Sequence, residues 1–143
     1  MGTPHAGVIL DSSAVIVLLR GEASAADVEQ LLREQRVARM STVNAAETID
    51  VLVRVHGRAV DKVVATVEQL FAAGVEAVAP SLEQAVEAGE MRARTFVRRS
   101  RRVSLADCFV LTTAAAGETI VTTDAVLADV ARAEGIAVVL LGA

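Results

Sequence analysis

The sequence predicts an α/β fold, with helices covering both faces of a mostly parallel five-stranded sheet. Two observations predict it. Short apolar runs alternate along the chain with longer segments whose apolar residues recur at helical spacing. The first and last short runs, VIL at 8–10 and AVVLL at 137–141, are apolar throughout, as strands buried on both faces are. The length of 143 residues suits a single domain, 1–143.

The first half of the chain predicts two strands and four helices. Their order is strand 7–10, helix 13–20, helix 24–35, strand 37–40, helix 41–56 and helix 58–73. Asp11 ends the first strand, and the serines after it can begin a helix. A turn at Gly21 separates the first two helices, Gly57 breaks the long apolar helical segment, and Gly74 stops the fourth helix.

The second half predicts three strands and three helices. Their order is strand 75–79, helix 81–99, helix 104–116, strand 119–123, helix 124–135 and strand 137–141. Pro80 ends the first of these strands, and Ser81 with Gln84 forms a capping-box pattern at the start of the next helix. Gly117 and Gly135 mark the ends of the other two helices.

Composition narrows the function. The net charge of −4 gives no overall basic field, and three Phe with no Tyr or Trp argue against the stacking platforms of many single-strand binders. The single cysteine, Cys108, rules out an internal disulfide and a Cys-rich zinc site, which favours a reducing compartment. No apolar stretch reaches the ~20 residues that a membrane span needs. We therefore expect a cytoplasmic protein.

Four carboxylates fall where the strands of a parallel sheet end. Asp11 follows the first strand, Asp124 follows the fourth, and Glu47 and Asp107 lie early in helices. Each has a simple explanation as a helix cap: Asp107 pairs with Ser104 in a capping-box pattern, and Glu47 with Asn44 likewise. Ligands of such sheets bind beyond the carboxyl ends of the strands, so all four acids can meet at one edge.

The combination points to a metal site. Acids brought together repel each other unless cations or protons compensate. The histidines, His5 and His56, are poorly placed to act as a general base, and the only lysine, Lys62, lies on a helix face. An acidic, all-oxygen site suits Mg²⁺ or Mn²⁺. Such ions activate water for hydrolysis of phosphodiesters.

The segments VILDSSA, NAAET, SLADCFVL and IVTTDAVL together resemble the PIN-domain nuclease family, most closely the VapC-type toxins of bacterial toxin–antitoxin pairs. The resemblance covers essentially the whole chain, and SLAD with TTD after a strand is its most specific part. It implies a three-layer α/β/α sandwich. It also implies metal-dependent endoribonuclease activity that leaves a 5′-phosphate and a 3′-hydroxyl.

The resemblance assigns residues and partners as well. Asp11, Glu47 and Asp107 match the acidic triad that binds the metal, and Asp124 matches a fourth acid. The supporting small hydroxyl residues are Ser12, Ser13 and Thr123. A VapB-type antitoxin and a homodimer are implied, with tRNA, ribosomal RNA or messenger RNA as substrate. Asp50, one turn after Glu47, is an alternative ligand.

The segment RARTFVRRSRR, 92–102, holds six arginines and no acid. Charge runs are usually solvated helix faces, but this one leads into the helix of Asp107. Arginine pairs bidentately with phosphate, so we expect an RNA-backbone contact here. The arginines expected to make it are Arg98, Arg99, Arg101 and Arg102. The apolar segments 42–56 and 58–73 exceed the needs of one core-facing stripe, which predicts an antitoxin groove or a dimer face in addition to core.

Other functions fit less well. A haloacid-dehalogenase-type phosphatase needs a second Asp two residues after the first, where this chain has Ser13. A response-regulator receiver needs a lysine near the last strand, and Lys62 is far from it. The remaining alternative is a PIN-like module that binds RNA or protein without cleaving, which metal-dependent cleavage would distinguish.

Overall fold

A parallel five-stranded sheet forms the middle of the structure, a computed structural model that describes residues 7–34, 37–98, 100 and 102–142. The strands are β1 (Val8–Leu10), β2 (Ala38–Ser41), β3 (Glu76–Val78), β4 (Thr119–Thr122) and β5 (Ala137–Leu140). They lie in the order β3-β2-β1-β4-β5, and all four pairings are parallel. The predicted α/β fold with five strands is confirmed.

Seven α-helices lie in the described parts of the chain. They are α1 (Ser12–Arg20), α2 (Ala25–Glu34), α3 (Thr42–Asp50), α4 (Val60–Ala72), α5 (Leu82–Thr95), α6 (Leu105–Thr113) and α7 (Ala125–Ala133). A π-helical turn, Val51–Val55, continues α3. None of these helices combines the length and apolar character that crossing a membrane requires, within the residues described.

Alternate residues of the central strands face two separate cores. Ile9 and Ile120 pack on one face of the sheet with residues of α5, α6 and α7. Val8, Leu10 and Val121 pack on the other face with residues of α1 and α2. Both cores consist mainly of aliphatic side chains, as the low aromatic content requires. The structure is therefore a three-layer α/β/α sandwich, as predicted.

The strand order places a switch point between β1 and β4. The chain runs outward from β1 to β2 and β3, then returns to β4 on the other side of β1 and continues to β5. In such sheets the crevice beyond the carboxyl ends of the two adjacent strands is the usual ligand site. Asp11 follows β1 and Asp124 follows β4 by two residues, so both lie at this crevice.

Helix α5 ends at Thr95, four residues before the predicted end at Arg99. The Thr95 hydroxyl donates to the Met91 carbonyl oxygen at 2.7 Å in the last turn of the helix. Phe96 then adopts an extended backbone conformation, with φ −69° and ψ 123°. The arginine-rich segment, 92–102, therefore begins in the last turn of α5 and leaves the helix at Phe96.

A buried ion pair ties β2 to the loop that precedes β4. The Arg39 Nε donates to Glu118 Oε2 at 3.0 Å, and an Nη of Arg39 also contacts Oε1 of the same carboxylate. The Ala115 N–H donates to Glu118 as well, at 2.6 Å. The Glu118 side chain is only 8% exposed. Burial raises the pKa of Glu118, but the hydrogen bonds and the charge of Arg39 outweigh it and hold this pKa below its usual value.

We expect Glu118→Gln to lower the free energy of unfolding by about 2–4 kcal/mol, because Arg39 would remain largely buried without its counter-ion. Urea unfolding at neutral pH measures the difference. The matched control is Glu29→Gln, which removes a surface pair with Arg33 and should cost less than about 1 kcal/mol.

The same pair predicts a pH dependence. A carboxylate with a depressed pKa in the folded state stabilises the fold above its unfolded value, near 4.5, and loses this contribution as pH falls through the folded value. The difference in stability between the wild type and Glu118→Gln should therefore shrink below pH 4.5. A difference that is unchanged in acid would contradict this account of the pair.

Candidate active site

Asp11 is the most deeply buried acid of the site, with 2% of its surface exposed. It occupies the N-cap position of α1, yet its carboxylate makes no capping hydrogen bond. Its Oδ2 instead accepts hydrogen bonds from the Ser13 hydroxyl at 2.7 Å and from the Thr122 hydroxyl at 2.8 Å. Of the two roles considered for Asp11, a side-chain cap is therefore wrong.

The environment of Asp11 disfavours its ionised form. Burial raises the pKa of this carboxyl, and the nearby charge of Asp124 adds to the effect. Hydrogen bonds from Ser13, Thr122 and the Ser12 N–H oppose it without reversing it. A buried carboxylate that is hydrogen-bonded on one oxygen and faces another acid gains from a nearby cation.

Asp107 lies in the first turn of α6 and is 8% exposed. Its Oδ2 accepts from the Ser104 N–H at 2.8 Å, and the Ser104 Oγ accepts from the Asp107 N–H at 3.0 Å. This is the predicted capping box, with both halves present. Burial is the main cause that raises the pKa of Asp107 to about 7, and the charges of Asp11 and Asp124 contribute. Three acids of the predicted set therefore interact electrostatically.

Glu47 comes from α3 and reaches the site through a hydrogen bond that the Ser12 hydroxyl donates to its Oε1. The expected pairing of Glu47 with Asn44 as a helix cap is wrong, because Ser41 caps α3 by accepting from the Val43 N–H. Asn44 is fully buried instead. Its Nδ2 donates at 3.3 Å to the carbonyl oxygen of Ala106, the residue before Asp107. This contact joins α3 to α6.

Asp124 caps α7 as predicted. Its Oδ1 accepts from the Val126 N–H at 2.9 Å and the Leu127 N–H at 3.2 Å. The Asp124 N–H donates to the Thr122 hydroxyl at 3.0 Å. Thr122 therefore contacts two of the four acids.

The predicted supporting residues lie at the site. Ser12 and Ser13 contact acids directly, and Ser13 Oγ also accepts from the Thr123 N–H at 2.9 Å. Thr123 thus contributes through its backbone, while the hydroxyl that reaches Asp11 belongs to Thr122. The sequence prediction missed Thr122. The feature of the sequence that could have identified Thr122 is a hydroxyl residue at the end of a strand, two positions before Asp124.

The four acids share one feature. Each fixes one carboxylate oxygen by hydrogen bonding, and its other oxygen accepts no hydrogen bond shorter than 3.5 Å from the described residues. As the side chains stand, however, no three acidic, His or Cys residues in the described ranges are arranged to enclose a metal ion. The structure thus brings the acids into one neighbourhood without closing a coordination cage.

Asp50, the alternative to Glu47, is engaged elsewhere. Its carboxylate accepts hydrogen bonds from Arg54 at 2.9 and 3.0 Å on the exposed side of the helix. The hydrogen bond from Arg54 lowers the pKa of Asp50. The structure therefore favours Glu47 as the acid from this helix.

The structure describes two of the four arginines that are expected to contact RNA. Arg98 and Arg102 are exposed and line an open cavity together with Ser104, the residue that holds Asp107. Arg99 and Arg101 lie outside the described residues.

Comparisons with known proteins agree with the fold. The model of the PIN domain family matches residues 8–139. The comparison with curated proteins gives no significant match.

Several solved structures are similar to the chain at low sequence identity. A DNA-bound VapBC from Salmonella typhimurium is 20% identical over 94% of this chain and 97% of that chain, with a TM-score of 0.66. VapBC2 from Rickettsia felis, bound to a promoter DNA fragment, is 13% identical over 94% and 98%, with a TM-score of 0.64. VapC20 of Mycobacterium tuberculosis, a sarcin-ricin loop cleaving toxin, is 16% identical over 91% and 85%, with a TM-score of 0.60. At these identities the likeness establishes the fold, and the match of the family model to nearly the whole chain shows that the protein belongs to the PIN-domain family.

Proposed function

We propose that this protein is a divalent-metal-dependent endoribonuclease that acts as the VapC-type toxin of a toxin–antitoxin pair. One observation carries the proposal. Four acids lie around the switch point of a PIN fold, and each has one carboxylate oxygen fixed by a hydrogen bond, while its other oxygen accepts none shorter than 3.5 Å from the described residues. The cleaving activity named for VapC20 supports extending it to this chain.

The residues present suit Mg²⁺ or Mn²⁺ chemically. All the donors are carboxylate oxygens, the ligands that both ions prefer. Close by, Asn44 Oδ1 is buried and has no hydrogen-bond partner among the described residues, on the same face of α3 as Glu47. An unused amide oxygen is an acceptor for a water molecule of the ion's shell. A bound ion would lower the pKa of its water and offset the charge that develops on the phosphate.

The acidic residues of this chain would bind the metal ion and fix its position. Asp11, Glu47 and Asp107 would bind the ion, and Asp124 would complete the acidic face while capping α7. Enclosing an ion requires side-chain adjustment, above all of Glu47, because its Oε1 is hydrogen-bonded to the Ser12 hydroxyl.

Ser13 and Thr122 keep Asp11 oriented from two different elements, α1 and β4. Neither has to move for Oδ1 of Asp11, which accepts only a long contact of 3.5 Å from the Ser12 hydroxyl, to become a ligand. Outer partners of this kind set the direction of a ligand and its basicity.

RNA would reach the acids past the arginine-rich stretch. Arg98 and Arg102, together with Arg99 and Arg101, would pair with backbone phosphates on either side of the cleaved bond. The exposure of Arg98 and Arg102 beside Ser104 supports this role. Cleavage would leave a 5′-phosphate and a 3′-hydroxyl.

We expect the antitoxin-free protein to cut RNA into discrete fragments with Mg²⁺ or Mn²⁺ and to stop in EDTA. Asp11→Asn should lower the rate by more than about 100-fold, since loss of an outer partner alone typically costs 10–100-fold. Gel analysis of total tRNA, ribosomal RNA and messenger RNA measures the rate and the substrate class. Asp50→Asn is the matched control and should cleave like the wild type, because Asp50 pairs with Arg54.

Failure to cleave any RNA, in a folded protein that still binds Mn²⁺, would contradict the nuclease and favour a PIN-like module that only binds RNA or protein. Equal loss of activity in Asp50→Asn and Asp11→Asn would contradict the assignment of the site.

Thr122 provides a test of the positioning network. Thr122→Val removes a donor to Asp11, so the ionised form of Asp11 is stabilised less and we expect Mn²⁺ to bind about 10–100-fold more weakly. Thr122→Ser keeps the hydroxyl and should bind Mn²⁺ like the wild type. Calorimetric titration with Mn²⁺ at one pH compares the three proteins. Equal affinity of the valine and serine variants would show that the hydroxyl plays no part.

A groove between the end of α1, the π-helical turn and the start of α4 suits the antitoxin. Core packing accounts for Leu52, Val63 and Val67, which form a small cluster of their own. Beside it lies a cavity of about 280 Å³. Its lining residues are Leu19, Leu52, Arg58, Ala59, Lys62, Val63 and Thr66. An apolar floor with cations at its rim fits an amphipathic helix of the antitoxin that carries acidic residues on its flank. The homodimer would use another apolar surface.

A bulky side chain in this groove should block binding of the antitoxin without affecting RNA cleavage. We expect Thr66→Trp to cleave RNA normally and to bind the protein encoded by the adjacent gene at least about tenfold more weakly, because the side chain occupies the space of the partner helix. Binding is measured by calorimetry, and neutralisation by growth on co-expression. Thr66→Ser is the control. Full neutralisation of Thr66→Trp would place the antitoxin elsewhere.

A further inference from the structure

An open cavity of about 430 Å³ lies between the end of α5 and the start of α6. Its lining residues are Arg92, Phe96, Arg98, Arg102, Val103 and Ser104. The set is unusual for this protein, because it joins three arginines to one of only three phenylalanines in the chain.

Phe96 is held as a partly exposed, oriented aromatic surface. It follows the last residue of α5 in an extended conformation and is 38% exposed. The Arg92 guanidinium lies 4.5 Å from the centroid of its ring, and the Arg92 Nε donates to the Val103 carbonyl oxygen at 3.2 Å. Both planar groups are therefore fixed by the fold, which lowers the entropic cost of stacking a third plane on them.

The positive charge of the cavity is not neutralised by neighbours. Among the described residues, Arg92, Arg98 and Arg102 form no ion pair, although six other arginines do. The Arg102 Nε donates to the Arg98 carbonyl oxygen at 3.0 Å, which positions that side chain over the loop. Three unneutralised guanidinium groups around one cavity favour an anionic ligand.

The cavity is linked to the acids through Ser104. Ser104 lines it and, through its N–H, holds the Oδ2 of Asp107 at 2.8 Å. A ligand in the cavity therefore lies one residue contact away from the acidic site.

We propose that this cavity is a subsite for one unpaired nucleotide of the RNA, next to the phosphodiester that is cut. The base stacks against the Phe96–Arg92 pair, and its flanking phosphates pair with Arg98 and Arg102. The proposal rests on the nuclease function proposed above and adds to it the requirement for an unstacked base. A base inside a duplex has no exposed face for such a stack, so the subsite selects single-stranded loops and ends.

The low aromatic content argued against stacking platforms for single-stranded nucleic acid, and the proposed subsite limits that conclusion. Few aromatic residues exclude a long row of stacking platforms, but a single platform needs only one ring. Such a platform would require an unstacked base at one fixed distance from the cleaved bond.

The experiment measures binding of a short unstructured RNA in EDTA, where no cleavage occurs. One abasic site is moved along the probe, so that each base is removed in turn while every phosphate is kept. We expect one abasic position to weaken binding to the wild type by about 5- to 150-fold, the range for loss of one base stack. Phe96→Leu should bind the intact RNA more weakly by a similar factor and should no longer distinguish that abasic probe from the others.

The arginines are tested on the same probes. Arg98→Gln and Arg102→Gln should weaken binding of intact and abasic RNA alike, and each should lower the slope of log affinity against log salt by about one. Arg94→Gln is the matched control, since Arg94 pairs with Glu134 and does not line the cavity. Thermal midpoints confirm that the variants are folded.

The outcomes separate this proposal from the nuclease. A wild-type protein that cleaves RNA but responds equally to every abasic position overturns the subsite alone. A protein that shows the Phe96-dependent abasic position but never cleaves with Mg²⁺ or Mn²⁺ overturns the nuclease alone. If Phe96→Leu and Arg98→Gln leave RNA affinity unchanged and weaken binding of the protein encoded by the adjacent gene, the cavity binds that protein and the subsite proposal is wrong.

Discussion

The crowding of carboxylates at the end of β1 is the constraint on which the rest of the site depends. Asp11 is buried between a helix start and a neighbouring strand; the charge of Asp124 adds to the burial that raises its pKa, and the charge of Asp11 adds to the burial that raises the pKa of Asp107. Such a group is tolerated only if its hydrogen bonds are secured by the surrounding elements. Ser13 from α1 and Thr122 from β4 secure it on one oxygen. The switch point of the sheet is therefore joined by hydroxyl groups as well as by the backbone pairing of β1 with β4.

Much of this arrangement followed from the sequence. The strands were identified because they are short, mainly apolar runs between helical segments, and the acids because each stands where a strand ends or early in a helix. The position of the second acid along α3 was harder. Asp50 and Glu47 lie one turn apart, and only the bidentate contact of Asp50 with Arg54 separates them.

Other features depend on tertiary contacts that no local pattern contains. Ser41, rather than Asn44, caps α3, because Asn44 is needed between α3 and α6. Thr122 was overlooked because a threonine at the end of a strand is common and does not by itself indicate a site. It contacts Asp11, which is distant in the sequence, and Asp124, which follows two residues later. The early end of α5 lies where Phe96 turns to an extended backbone conformation, which the helical periodicity did not indicate.

The likeness to VapC-containing structures at 13–20% identity shows how loosely this fold constrains its core. Here the two sheet faces are filled by Val, Leu, Ile and Ala, with almost no aromatic residues. A fold maintained by volume and periodicity leaves the surface around the site open to change.

Ser104 belongs to two environments at once: it lines the arginine-rich cavity and fixes an oxygen of Asp107. Any ligand that shifts Ser104 changes the geometry of Asp107, and any ion that draws Asp107 pulls on Ser104. Thermodynamic linkage makes such an influence reciprocal, so occupancy of the cavity and occupancy of the acidic site must alter each other's affinity by the same factor. The capping box formed by Ser104 and Asp107 at the start of α6 thus links the cavity to the acidic site. If the acids bind an ion and the cavity binds RNA, as proposed above, the affinity for the ion depends on whether RNA is bound.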